Sequence, residues 1–380
     1  MSAKNSSPDE LYMARAIELA YRGLYSTMPN PRVGCVLVRD DAVLGEGWHV
    51  RAGEGHAEVN AIASAQAAGH ELVGATAYVT LEPCSHLGKT PPCCEALINA
   101  GVGRVVAAME DPNPLVAGRG LQALRDAGIK VESGLLNEEA QAINPGFIKR
   151  MHSGLPLLRC KLAMSLDGRT AMASGESQWI TGSEARSDVQ QLRARSCAVL
   201  SGIDTVISDD AALTVRAVQL NLDNAEDIAR RQPLRVVLDS NLRLPVDCNL
   251  LAQKGPVIVA TANSDSGKQQ ALELAGAEVL CLPNDQGQVD LLAVLTVLAE
   301  RQCNEVLLEA GATLAGAALQ AGLIDELVVY MAPTLLGSNA RPLIQLPLSS
   351  MSEQQRLEIT GMVAVGHDWR ITARPVKGDH

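Results

Sequence analysis

Apolar Leu11, Ala14, Ile17 and Ala20 or Tyr21 recur at three- to four-residue spacing behind Ser7-Pro8. Ser7 reads as an N-cap with proline at the first helical position, so the spacing predicts an amphipathic helix that stops at Gly23. The pattern then changes. Residues 33–38, 75–81, 104–109 and 130–132 are short β-rich runs, and helical periods over 57–68, 93–100 and 118–127 separate most of them. Gly69, Gly101 and Gly128 stand where those helices should end. Strand alternating with helix predicts a largely parallel sheet covered by helices.

The stretch from Asn144-Pro145-Gly146 to Leu155-Pro156 interrupts this alternation with two prolines and two glycines around Lys149, Arg150 and His152. It is read as a domain boundary, dividing the chain into residues 1–150 and 151–380. Beyond it, strand-like runs at 156–163, 198–202, 235–239, 257–260, 278–282, 305–309 and 326–332 again alternate with helical ones, and a second α/β domain is expected. No internal repeat is visible.

Composition narrows the function. The 380 residues are 47% hydrophobic and 20% charged, which suits globular domains and excludes wholesale disorder. No apolar run reaches the length of a membrane helix, and residues 1–10 lack the apolar core of a signal peptide, so a cytoplasmic protein with no membrane contact is expected. The net charge of -11, its acidity shared by both halves, ill suits a polynucleotide backbone. With aromatic residues at 2% and a single phenylalanine, Phe147, base-stacking platforms are missing too. A small molecule is the expected partner, not nucleic acid. Nine cysteines without regular spacing favour reduced thiols and metal ligation over a disulfide framework.

Candidate chemistry begins at His56-Ala57-Glu58, at the start of a predicted helix, and at Pro83-Cys84-Ser85-His86-Leu87-Gly88-Lys89-Thr90-Pro91-Pro92-Cys93, which leads into another. One imidazole and two thiolates, His56, Cys84 and Cys93, suit Zn2+; three protein ligands leave a fourth position for water, the arrangement of a catalytic site. Zinc lowers the pKa of that water toward about 7. Glu58, two residues from His56, is placed to carry its proton as general acid and base. Zinc deaminases pair H-x-E with P-C-x-x-C, yet here eight residues, not two, separate Cys84 from Cys93. On the residues alone His86 is a rival ligand that would close a structural site. Cys94 is not, being about 100° round the helix from Cys93.

These two motifs together resemble the deaminase half of the bifunctional riboflavin-biosynthesis deaminase/reductase family, whose Cys-to-Cys loop is equally long. Asn30-Pro31-Arg32-Val33-Gly34-Cys35-Val36, Asp111-Pro112-Asn113-Pro114 and Gly118-Arg119-Gly120 match as well, and the resemblance runs through essentially the whole chain. It implies a cytidine-deaminase-like α/β/α domain followed by a dihydrofolate-reductase-like α/β domain. It also implies hydrolytic deamination of 2,5-diamino-6-(5-phosphoribosylamino)pyrimidin-4(3H)-one, with Asn30 on the pyrimidine edge. Ser85, His86, Lys89 and Thr90 offer hydroxyl, imidazole and ammonium donors on that long loop and are assigned to substrate binding. A homo-oligomer is implied too.

No Gly-x-Gly-x-x-Gly follows a strand, so an ordinary dinucleotide fingerprint is missing. Residues 305–309 read as a strand that turns through Ala310-Gly311 into a helix whose free amides suit a pyrophosphate. Lys161-Leu162-Ala163-Met164-Ser165-Leu166-Asp167-Gly168-Arg169-Thr170, Ser177-Gln178-Trp179-Ile180-Thr181, Asp209-Asp210 and Leu213-Thr214-Val215-Arg216 resemble the reductase half of the family. The resemblance implies NADPH contacts at Ala163, Trp179, Thr205, Asp209, Ser240, Gly311, Ala312, Thr313, Leu314, Ala315, Gly316 and Ala317. Substrate contacts would fall on Ser177, Arg193, Leu213, Arg216 and Glu309, and reduction would turn the ribosyl group into ribityl. Ser240 with Arg243 is the candidate partner of a cofactor 2'-phosphate. Ala211 stands where the family commonly has proline, and Glu309-Ala310-Gly311-Ala312-Thr313 departs from its Glu-Gly-Gly-Pro-Thr-like turn. Three other readings stay open on the residues: a nucleic-acid editing deaminase, a scaffold closed around structural zinc, and a second domain that binds nucleotide without reduction.

Overall fold

The computed structural model describes residues 7–85, 91–114 and 116–376. The chain divides into two compact units, Met1–Gly154 and Leu155–His380. The first has helices α1 (Pro8–Tyr21), α2 (Ala57–Ala67), α3 (Cys93–Asn99), α4 (Arg119–Asp126), α5 (Asn137–Ile143) and α6 (Pro145–Ser153) around strands β1 (Gly34–Arg39), β2 (Ala42–Trp48), β3 (Thr76–Val79), β4 (Arg104–Ala107) and β5 (Lys130–Ser133). Helix α1 starts as expected. Ser7 accepts from the Glu10 amide while the Glu10 carboxylate accepts from the Ser7 amide, a reciprocal box that satisfies two otherwise free donors.

The five strands lie in the order β2-β1-β3-β4-β5. A largely parallel sheet was expected, but only β3, β4 and β5 run parallel, because β1 is antiparallel to both of its neighbours. The hairpin to β2 turns on Asp40 and Asp41, both at positive φ. Strand β2 is invisible to a β-propensity reading because of Gly45 and Gly47. Those glycines let α2 lie against the sheet: an added Cβ would meet the Ala61 carbonyl at 2.4 Å or the Ala61 amide nitrogen at 2.3 Å. Two buried clusters cover the two faces, one including Ala61, Val79 and Leu121, the other Met13, Leu19 and Val106.

The expected linker is largely a helix. Pro145 opens α6 at its first position and Gly154 closes it at φ 69°, so the residues that looked like breakers are its start and stop signals.

The second unit contains α7 (Ser183–Ala194), α8 (Ile203–Asp209), α9 (Ala217–Leu220), α10 (Ala225–Arg230), α11 (Asn249–Ala252), α12 (Ser266–Leu274), α13 (Leu291–Glu300) and α14 (Ala312–Gln320). Its strands are β6 (Leu157–Ser165), β7 (Arg169–Ala171), β8 (Ala198–Gly202), β9 (Leu234–Leu238), β10 (Val257–Thr261), β11 (Glu278–Cys281), β12 (Glu305–Glu309), β13 (Glu326–Ala332), β14 (Arg341–Pro342), β15 (Leu357–Val365) and β16 (Asp368–Pro375). Nine of them form a sheet in the order β11-β10-β9-β8-β12-β6-β13-β16-β15, parallel as far as β13; β7 and β14 pair separately. Parallel strands buried on both faces explain the continuous apolar runs of β8, β9, β10 and β12. The C-terminal hairpin β15–β16 escapes the sequence pattern, since β15 is largely exposed and gives no alternation. Among the described residues no helix is long and apolar enough to cross a membrane.

Candidate active sites

In the first unit the ends of three elements converge. His56 is the N-cap of α2, Glu58 lies in its first turn, Cys93 is the first residue of α3, and Cys84 follows β3. His56 Nδ1 is 3.2 Å from Cys93 Sγ and 3.6 Å from Cys84 Sγ, and the three ligand atoms all lie within 4.8 Å of one another. A tetrahedral zinc with Zn–S near about 2.3 Å and Zn–N near about 2.0 Å needs ligand atoms roughly 3.5–3.8 Å apart, so the set fits the ion. The α3 N-terminus helps hold the anion: the Cys93 amide donates to Cys84 Sγ at 3.3 Å. The Cys93 thiol and His56 hold the Cys84 thiol down at about 4. Glu58 is 3% exposed, and burial, with the Cys84 charge adding to it, pushes its carboxyl up to about 7. That value suits a group that must both take and return a proton near neutrality. His86, Lys89 and Thr90 lie outside the described residues; Ser85 is half-buried beside Cys84.

Asn30 is oriented by a residue the sequence reading passed over. His49, 2% exposed, donates from Nδ1 to the Gly55 carbonyl at 3.1 Å, which leaves Nε2 to accept from Asn30 Nδ2 at 3.1 Å. The imidazole thereby fixes which way the Asn30 amide points. Asn144 holds the same loop from behind, accepting from the Arg32 amide at 2.8 Å and donating to the Arg32 carbonyl at 2.8 Å. Neither residue carries a local motif.

In the second unit a cavity of about 470 Å³ is lined by Gln178, Trp179, Arg193, Asp209, Leu213 and Arg216 among others. Five expected site residues thus share one wall. Trp179 is 70% exposed with the Arg186 guanidinium 4.6 Å from its ring centre, and Ser177 stands just before this wall. Arg193 differs from the expectation of a substrate grip. It is buried, giving Nε to Glu309 Oε1 at 2.5 Å, Nη2 to Glu309 Oε2 at 2.9 Å and Nη1 to the Thr214 carbonyl at 3.0 Å. The arginine is largely committed to the protein, and Arg216 is the exposed cation of the cavity. Burial pushes the Glu309 carboxyl up, but the Arg193 charge and hydrogen bonds outweigh it and hold the group below its usual range.

Lys161 received no role from its motif, yet it faces Glu309 across adjacent strands. Burial drives its ammonium below the usual range against the pull of Glu309 and Asp209, and burial raises the Asp209 carboxyl in turn. A lysine inside an apolar strand run was the available signal.

The turn after β12 departs from expectation at its far end. Ala312, Thr313 and Leu314 form the first turn of α14 behind Gly311, with no side-chain cap, and Gly311 has only Thr205 Oγ1 near an added Cβ, at 3.9 Å. This is an open helix N-terminus beside a hydroxyl, a fit for a cofactor phosphate. From Ala315 onward the amides are spent: Ala315 donates to the Gly311 carbonyl. Ala315 is buried, and a Cβ on Gly316 would strike the Gln345 carbonyl at 2.0 Å, so these two pack, while Ala317 is exposed farther along α14. Ala163 is half-buried against the core. Ser240 Oγ accepts from the Val289 amide at 3.1 Å, and Arg243 Nη1 pairs with Asp204 at 2.7 Å on the surface.

Residues 6–109 match the cytidine and deoxycytidylate deaminase zinc-binding region, and residues 156–371 match the RibD C-terminal domain. The chain is 51% identical over 364 residues to the riboflavin biosynthesis protein RibD of Escherichia coli K12, covering 95% of this chain and 97% of that protein. It is 47% identical over 375 residues to the Haemophilus influenzae RibD, covering 97% and 98%. Among solved structures, Acinetobacter baumannii RibD, form 1, superimposes with a TM-score of 0.89 at 49% identity, covering 97% of this chain and 99% of that one. The diaminohydroxyphosphoribosylaminopyrimidine deaminase/5-amino-6-(5-phosphoribosylamino)uracil reductase of Thermotoga maritima gives 0.84 at 33% identity with the same coverage. With both halves matched and relatives similar from end to end, the chain belongs to the RibD family of bifunctional riboflavin-biosynthesis enzymes, a zinc-binding deaminase unit followed by a reductase unit.

Proposed function

We propose that residues 1–150 deaminate 2,5-diamino-6-(5-phosphoribosylamino)pyrimidin-4(3H)-one to 5-amino-6-(5-phosphoribosylamino)uracil, and that residues 151–380 reduce the ribosyl group of that product with NADPH. The observation that carries the first half is the gathering of His56, Cys84 and Cys93 within 4.8 Å beside the buried Glu58. When bound there, zinc supplies a Lewis acid that brings the pKa of water toward about 7. Glu58 then takes a proton from the attacking water and gives it to the exocyclic nitrogen; the water oxygen bonds to the ring carbon, the carbon–nitrogen bond breaks and ammonia leaves. Asn30, held by His49, presents its amide to the pyrimidine edge.

In the second half, Arg216 meets the sugar phosphate, Leu213 and Ser177 border the substrate, and Glu309 is held in place by Arg193. NADPH, when bound, supplies the hydride that reduces the first ribose carbon. Thr205, Gly311, Ala312, Thr313 and Leu314 receive its phosphates, while Trp179, Asp209, Ala163 and Ser240 border the rest. The ring C–O bond breaks as the hydride arrives and the ring oxygen takes a proton from water, while Lys161, paired with Glu309 across β6 and β12, adds a basic group beside that carboxylate.

The same reading makes the chain a cytoplasmic homo-oligomer acting on a small molecule, with neither nucleic acid nor membrane as partner. The net charge of -11 and nine unbridged cysteines support the setting. Edge strand β15 supports the assembly, since it exposes Ile359, Met362 and Val363 beside unpaired backbone.

The test is ammonia release from the diaminopyrimidinone ribosyl phosphate by zinc-loaded protein, then NADPH oxidation on adding the cofactor, with Glu58→Gln alongside. Wild type should give both signals, and Glu58→Gln should lose ammonia release by at least about a hundredfold while still oxidising NADPH on deaminated substrate. Neither signal in wild type would refute the reading; ammonia without NADPH oxidation would restrict it to the first unit.

A further inference from the structure

We propose that Glu82 is a positioning residue for the zinc ligand Cys84, an inference that rests on the zinc reading above. Glu82 is 3% exposed and precedes the Pro83-Cys84 pair. Its carboxylate accepts four backbone amides. Oε2 takes Asp111 at 3.1 Å and Gly118 at 2.9 Å; Oε1 takes Gly120 at 2.8 Å and Leu121 at 3.3 Å. A carboxylate has about four acceptor positions, so one side chain ties Asp111 and Gly118, before α4, to Gly120 and Leu121 in its first turn. Its own amide adds a fifth tie, donating to the Met109 carbonyl at 3.0 Å.

The Gly118-Arg119-Gly120 motif acquires a cause from this geometry. Gly118 sits at φ 76°, a conformation suited to glycine, and points its amide at Glu82. Gly120 lies so close to the next residue that an added Cβ would fall 1.9 Å from the Pro83 carbonyl oxygen. The loop therefore grips Glu82 through its side chain and Pro83 through its backbone. On the other side, the Cys84 carbonyl accepts from the Cys94 amide at 3.2 Å and its sulfur from the Cys93 amide. Cys84 thus sits between Pro83, backed by the Gly120 that Glu82 holds, and the start of α3, whose Cys93 amide meets its sulfur.

Glutamine at position 82 keeps the shape but replaces one acceptor oxygen by an NH2 group facing two amide donors. The pair released, Asp111 with Gly118 or Gly120 with Leu121, must turn elsewhere, and the grip on Pro83-Cys84 loosens. Residues behind metal ligands typically alter metal affinity about 10- to 100-fold when replaced.

The experiment uses the full chain. Zinc affinity is measured by competition with a chromophoric chelator, the ligand-field absorption of the cobalt-substituted protein reports thiolate geometry, and NADPH oxidation on deaminated substrate reports the second unit. Glu82→Gln should bind zinc at least about tenfold more weakly and show altered cobalt bands, with NADPH oxidation unchanged. Gly120→Ala, which presses on Pro83 from the opposite side, should give the same signature. Unchanged zinc affinity and cobalt bands in Glu82→Gln would overturn the inference, as would loss of NADPH oxidation in parallel with zinc, which would make Glu82 a general folding residue. Wild-type protein that takes up no zinc would fail the zinc reading itself, and the inference with it.

Discussion

Two arginines of the reductase cavity should fail in opposite ways when truncated. Arg193 is buried and spends three donors on Glu309 and the Thr214 carbonyl, whereas Arg216 is exposed at the cavity. Arg193→Ala strands the Glu309 carboxylate without its partner, and breaking a buried ion pair from one side costs about 3–5 kcal/mol. The two lost charge-assisted bonds, at about 1.5–3 kcal/mol each, give about 3–6 kcal/mol, which brackets it. For a unit of this size each kcal/mol lowers the midpoint by about 2–4 °C, so calorimetry should show a transition about 6–20 °C lower. Arg193→Ala with Glu309→Gln removes the stranded charge and should recover part of that loss. Arg216→Ala should change stability by no more than about 0.5 kcal/mol, since an exposed side chain is removed. It should instead lower kcat/KM for the reduction about tenfold to a hundredfold, the loss of one charge-assisted phosphate contact. An Arg193→Ala protein with a wild-type midpoint and a raised KM would refute the reasoning, because the arginine would then be gripping substrate.

In the deaminase unit, His49→Phe removes the acceptor that orients the Asn30 amide; one hydrogen bond of about 0.5–1.5 kcal/mol should lower kcat/KM for ammonia release about threefold to tenfold, and an unchanged value would show that Asn30 orients itself. Acid stability should depend on Arg104, whose hydrogen bonds hold Asp9 below its usual range and Glu132 at about 2. Carboxyls depressed in the folded state stabilise it above their unfolded pKa of about 4 and lose that contribution as pH falls toward 2. Urea midpoints of wild type should therefore drop more steeply between pH 5 and pH 2.5 than those of Arg104→Gln; parallel curves would remove this ion cluster from the acid response.

What the sequence revealed and what it concealed follow from the range of each interaction. The zinc set was legible because His56 and Glu58 share one helix start and Cys84 and Cys93 one continuous motif, so local spacing carries the chemistry. Helix α1 was legible because its cap closes within three residues. Strand β2 was hidden because Gly45 and Gly47 answer to the backbone of α2, not to strand propensity. Helix α6 was hidden because proline and glycine mark both a loop and the two ends of a helix. Arg193 was given to substrate by the resemblance, and nothing near it in sequence reveals its buried pairing with Glu309, 116 residues away. His49 carries no motif because its partners matter only once Asn30 and Gly55 have been folded against it.

Arg193 exemplifies a device that recurs in both units. A loop that carries chemistry has backbone donors and acceptors no sheet will pair, and buried groups of that kind must find partners. Here side chains supply them. Asn144 donates to and accepts from Arg32 beside Asn30; Gln232 does the same to Val215, while Gln190 accepts from Arg216 and Arg193 donates to Thr214. Glu82 serves four amides at once, two before α4 and two in its first turn. In each case a primary amide, guanidinium or carboxylate stands in for a neighbouring strand, so backbone groups that no sheet pairs are satisfied by a side chain. Such clamps fix the position of functional groups without touching what they bind. Replacing them should therefore disturb the geometry of a site, as Glu82→Gln is expected to do, while the residues that meet the substrate remain in place.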